Sequence, residues 1–127
     1  MGKITQAHRD LIEEVGLCYA ASASSDGMPN VSPKGSIMVI DDDHIAFADI
    51  MSPHTRKNLE ENPRVAVMVC KRETFTGFQF TGTVELTADG AVYDTLAQAI
   101  ADKGLKLPPI QYAVTIQVEE VRGIGES

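Results

Sequence analysis

The chain has 127 residues, 43% of them hydrophobic, and a formal net charge of −7. That length supplies one hydrophobic core and no second, so residues 1–127 read as a single domain. The acidic balance argues against nucleic acid or an anionic membrane surface as the main partner. No apolar run approaches the ~20 residues of a membrane-spanning helix, and the N-terminal stretch lacks the apolar segment of a secretion signal. Cys18 and Cys70 each lie in an apolar run, with no Cys-x-x-Cys pair or Cys/His cluster. No zinc site is expected, and both cysteines read as reduced packing residues of a cytoplasmic protein.

In chain order, residues 5–15 carry a helical apolar stripe of Ala7, Leu11, Ile12 and Val15, with Thr5 as N-cap. Residues 17–24 are a small-residue strand, and Ser25-Asp26-Gly27 is a hairpin turn signal. Strands follow at 29–33 and 36–40, a turn at Asp41-Asp42-Asp43, and a fourth strand at 44–48. A short helix starts near His54 and stops before Asn62-Pro63, because the residue before proline avoids helical angles. Residues 65–70 form the most apolar strand, and 76–86 a long one whose internal Gly82 marks a bulge or a close backbone approach. An amphipathic helix over 91–103, with Val92, Leu96, Ala99 and Ile100 inward, precedes a final strand at 112–118. Short strands at regular spacing with few helices predict a mainly β chain, an antiparallel barrel of Greek-key type. No GxGxxG or Walker sequence is present.

The most unusual chemistry sits where the fourth strand gives way to the short helix. The first turn there holds Thr55, Arg56 and Lys57, although a helix N-terminus already carries about half a positive charge and favours Asp or Glu. Exposed amides, a hydroxyl and two cations make a pocket for an anion, a phosphate above all. The alternative is a solvated helix face pairing Arg56 and Lys57 with Glu60 and Glu61. His8 and His44 read as surface residues, and His54 as a turn histidine. No Ser/His/Asp triad or pair of catalytic carboxylates can be drawn from the chain.

Three segments together resemble the FMN-binding split barrels related to pyridoxamine 5′-phosphate oxidase. They are Ser24-Ser25-Asp26-Gly27-Met28-Pro29-Asn30-Val31-Ser32-Pro33-Lys34-Gly35, Ile45-Ala46-Phe47-Ala48-Asp49 with Thr55-Arg56-Lys57-Asn58-Leu59, and Thr76-Gly77-Phe78-Gln79-Phe80-Thr81-Gly82-Thr83. The later half is also similar to the small FMN-binding proteins of sulfate-reducing bacteria. The resemblance implies a homodimer binding non-covalent FMN at its interface. It places Pro33, Lys34, Gly35 and Ser36 against the flavin, Ala48 and Asp49 along the ribityl chain, and Thr55, Arg56 and Lys57 on the phosphate. It implies redox work, as a small oxidoreductase or an electron carrier serving a small-molecule or protein partner.

The chain departs from the oxidase in three places. The turn at residues 50–54 is longer, Gln79 is offset by two positions from the oxidase's flavin-contacting glutamine, and the substrate-binding C-terminal segment with its Trp is missing. Pyridoxamine phosphate oxidation is therefore not expected. The other expectation the chain leaves open is a binding module without turnover, holding flavin, haem or a deazaflavin.

Overall fold

The computed structural model describes residues 2–104 and 106–125. Its first helix, α1 (Gln6–Val15), is closed at both ends. Thr5 Oγ accepts the His8 amide while His8 Nδ1 accepts the Thr5 amide at 3.0 Å, and Gly16 ends the helix in the left-handed conformation at φ 64°. This reciprocal cap turns the imidazole inward. His8 is only 9% exposed, its ring edge-on to Phe78 and Phe80 with centroids 4.4 and 5.5 Å away. The expected helical stripe is corrected accordingly. Ala7 faces solvent and His8 joins Leu11 and Ile12 on the buried face, so His8 is not a surface residue.

Seven strands follow: β1 (Cys18–Ala23), β2 (Pro29–Lys34), β3 (Met38–Val39), β4 (His44–Asp49), β5 (Arg64–Lys71), β6 (Thr76–Thr87) and β7 (Tyr112–Gly123). They pair in the order β2-β1-β5-β6-β7-β4-β3, every pair antiparallel. The sheet curls into a half-barrel, the split-barrel architecture. Two more helices, α2 (Pro53–Glu61) and α3 (Ala91–Asp102), link β4 to β5 and β6 to β7.

Two strands differ in length from their sequence patterns. β3 keeps only two of the five residues expected, and β7 runs five residues past Val118. The extension follows from Gly82, beside a register shift between β6 and β7. A Cβ there would fall 1.9 Å from the Gln117 carbonyl oxygen, so only glycine admits the close approach. Beyond the bulge, Thr81 pairs with Glu120, and β6 carries polar residues of β7 onward. Alternation within β7 alone does not reveal this.

β4 is buried on both faces, and the two faces differ in bulk. Ile45 and Phe47 enter the main core with Cys18, Val67, Val69, Phe80, Val114 and Ile116. Ala46 and Ala48 face the other way, where their small side chains admit α3 and its buried Leu96. That arrangement brings the end of α3 beside the ends of β2 and β4. No helix among the described residues is long and apolar enough to cross a membrane.

Candidate functional site

Where β2, β4 and α3 end, a cavity of about 290 Å³ opens between residues 33–36, Ala48, residues 50–52 and Ile100, Lys103 and Leu107. Its volume sits at the lower end of small-molecule sites, roughly 300–1,000 Å³. Ser36 ties its two strand ends together, its Oγ accepting the Ala48 amide at 2.8 Å. Gly35 needs no left-handed φ, and a Cβ added there would meet nothing nearer than 4.0 Å. The chain's own packing therefore gives no reason for a glycine; a bare backbone at this lining position leaves room for a ligand.

Lys34 is the chemical centre of this cavity. Its alternation with Pro33 on β2 sends it inward, opposite Cys18, and it is 7% exposed. The ammonium hydrogen-bonds Ser52 Oγ and lies 5.6 Å from the centroid of the Phe47 ring. Burial lowers its proton affinity, while the charge of Asp49 and the Cys18 thiol work the other way. Asp49 is itself buried and makes no ion pair with it. The Cys18 thiol is pushed up to about 12 by burial, which the nearby Lys34 charge only tempers; it is no thiolate. A desolvated cation without a bonded carboxylate is costly unless an anionic group shares its site.

Ser52, on the cavity wall, is also the N-cap of α2. The helix begins one residue earlier than the sequence predicts, with Pro53 at its first position. Proline has no N–H, and the Arg56 amide already donates to the Ser52 carbonyl at 2.9 Å. Two amides remain uncapped, those of His54 and Thr55. No side chain caps this end and no acid sits in the first turn.

The three residues expected on a phosphate diverge, because consecutive helical positions point about 100° apart. Thr55 is 1% exposed, its Oγ 3.1 Å from Asn30 Nδ2 and 3.2 Å from Ser32 Oγ. Its hydroxyl pins α2 to β2. Arg56 bonds Gln111 Oε1 and lies 5.6 Å from the centroid of Tyr112, the register partner of Asp49. Lys57 is exposed on the other flank, lining a 510 Å³ surface hollow with His54, Asp26 and Asn30. Neither cation pairs with Glu60 or Glu61, so the solvated ion-pair alternative is not formed. The structure thus gathers Pro33, Lys34, Gly35, Ser36 and Ala48 on one cavity, brings Arg56 near Tyr112, the register partner of Asp49, and leaves Lys57 in a separate hollow.

Sequence reasoning missed the wall supplied by α3. Lys103 Nζ donates to the Gly35 carbonyl at 3.2 Å across 68 residues of chain, and no local pattern announces that contact. Gln111, the partner of Arg56, was missed for the same reason.

A family model described as pyridoxamine 5′-phosphate oxidase matches residues 4–125. The chain belongs to that family. An uncharacterised protein of Methanocaldococcus jannaschii is 35% identical over 109 residues, covering 83% of this chain and 70% of its own. Among solved structures, HupZ of Group A Streptococcus is 28% identical, with TM-score 0.85 over 98% of this chain and 95% of that one. Two more share the fold. An FMN-binding protein from Syntrophomonas wolfei has TM-score 0.71 at 18% identity, over 91% and 82% of the chains. The haem storage protein HutZ from Vibrio cholerae has TM-score 0.72 at 17% identity, over 96% and 94%.

Proposed function

We propose that the protein binds FMN without a covalent bond and does redox work with it, as a small oxidoreductase or an electron carrier. The observation that carries this reading is the cavity itself: in a chain of net charge −7, it is lined by two lysines and no carboxylate. FMN, when bound, supplies a ring that takes up and returns electrons. The chain's residues do the remaining work. Lys34 and the backbone of residues 34–36 hold the ring and offer positive charge to it. Ala48 and Asp49 run along the ribityl chain, with Asp49 accepting from a hydroxyl. Arg56 and the free amides of His54 and Thr55 take the phosphate, and Lys57 adds a longer-range charge from its own flank.

The same reading makes the protein a cytoplasmic homodimer. Tyr19 lies beside Pro33 and Ala21 beside Val31 on the outward face of β1 and β2, and Tyr19 and Val31 are both well exposed. This apolar face adjoins the cavity through Pro33, where a second subunit would cover the ring.

Haem is the second reading, favoured by the shared fold of HutZ. Its weakness here is the axial ligand. His8 is committed to the α1 cap, His44 Nδ1 lies 2.8 Å from Asp41, and His54 lines the surface hollow away from the cavity. The experiment is a visible spectrum of the purified protein before and after excess FMN and gel filtration. Retained flavin bands support the proposal, a Soret band favours haem, and a colourless protein that ignores FMN overturns both.

A further inference from the structure

We propose that Lys103, at the end of α3, is a second cation of the ring cavity and tunes it toward the reduced, anionic form of its ligand; this rests on the FMN reading. Lys103 lines the 290 Å³ cavity from the wall opposite β2, and its Nζ donates to the Gly35 carbonyl. Lys34 reaches the same cavity from β2, with Ser52 Oγ as its partner. Both ammoniums are thus held by neutral oxygens. Among the described residues Lys103 makes no ion pair, and the carboxylate of Asp102 beside it is engaged by Gln98 Nε2 at 2.7 Å. Glu13 shares a 570 Å³ cleft with Lys103 between α1 and α3, outside the ring cavity.

The two lysines are not equivalent. Lys34 is buried and feels the buried charge of Asp49. Lys103 is exposed, and no carboxylate lines the cavity it shares. Oxidised FMN takes two electrons from an external reductant and one proton at N5, which leaves one negative charge spread over N1 and the C2 carbonyl. A positive charge on the cavity wall stabilises that state over the neutral oxidised ring. Lys103 is a positioning and electrostatic residue, holding the Gly35 backbone and adding charge. It carries no bond-making step.

The test compares wild type, Lys103→Met, Lys103→Arg and the outside control Lys106→Met. The readouts are affinity for oxidised FMN and the two-electron midpoint potential, each repeated with riboflavin, which has the ring and lacks the phosphate. Lys103→Met is expected to cut the preference for reduced over oxidised ligand about five- to tenfold. That lowers the midpoint potential by about 20–30 mV, since tenfold is about 30 mV for a two-electron couple. Lys103→Arg restores it, Lys106→Met leaves it alone, and riboflavin shows the same shift. An unchanged potential in Lys103→Met with flavin bound overturns the inference and spares the FMN reading. So does a shift seen with FMN alone, which would place the lysine on the phosphate. Wild-type protein that retains neither flavin overturns both.

Discussion

α1 and α2 are helices of nearly equal length built for opposite ends. α1 has Thr5 and His8 satisfying each other's amides, a left-handed glycine behind it, and a buried face seated on Phe78 and Phe80. α2 has proline at its first position, no side-chain cap, no acid in its first turn and an extended Asn62 at its end. It is held to the sheet by Leu59 and by hydrogen bonds, with Asn30 Nδ2 of β2 donating to Thr55 Oγ at 3.1 Å and Asn58 Nδ2 donating to Ser22 Oγ at 3.2 Å. Side-chain caps contribute about 0.5–2 kcal/mol each. A helix that forgoes them keeps its amide donors and positive end free for another partner. One helix is finished by its own chain, and the other leaves two amides at its start without a side-chain cap.

Removing the seat of α1 breaks this contrast most severely. Phe80→Ala empties a fully buried position and is expected to cost about 3–5 kcal/mol in urea unfolding. Next comes the ligand end of α2. Arg56→Ala with Lys57→Ala is expected to weaken FMN binding about 10- to 100-fold, the loss of charge-assisted hydrogen bonds of about 1.5–3 kcal/mol. The unfolding midpoint should barely move. Arg56→Ala alone should account for most of that loss, because Lys57 lies on the other flank; equal single effects would show that the helix turns on binding.

Thr55→Val reverses the pattern. It strands Asn30 and Ser32 and should cost about 1–2 kcal/mol of stability, while FMN affinity stays within about threefold of wild type. A large affinity loss without a stability loss would return the Thr55 hydroxyl to the phosphate.

The smallest effect is a pH dependence at the α1 cap. Burial lowers the His8 pKa below its ordinary 6.5, so folding favours the neutral ring whose Nδ1 accepts the Thr5 amide. The unfolded chain then binds more protons, and the His8 contribution is complete above about pH 6.5 and lost as pH falls below it. Lys3, Glu119 and Glu120 line the hollow beside the ring. His8→Gln keeps a neutral capping acceptor, so below pH 6.5 its stability should fall less steeply than wild type in paired unfolding titrations.

Much of the architecture was legible. The apolar alternation of β4 to β7, the Asp26-Gly27 turn, the stop before Pro63 and the glycine of β6 each signal their element locally; an antiparallel barrel follows from their order, and the split barrel from the family resemblance. β3 was over-read because five apolar-flanked residues look like a strand even where only two find a partner in the ladder. β7 was under-read because its last residues pair only through a bulge in another strand. At the site, residues 33–36 and Ala48, which only the family resemblance had grouped, line one cavity because they sit at strand ends on one rim of the half-barrel.

By itself the sequence determined the periods, the turns, the uncapped cationic start of α2 and the family signature, because each is written within a few consecutive residues. Tertiary structure alone decided the rest. It buried Lys34 beside Phe47, turned His8 inward onto two phenylalanines, and brought Lys103 to Gly35 across 68 residues. It also sent Thr55, Arg56 and Lys57 into three different surroundings, because the packing of a helix, and not adjacency along it, chooses which 100° sector meets the sheet.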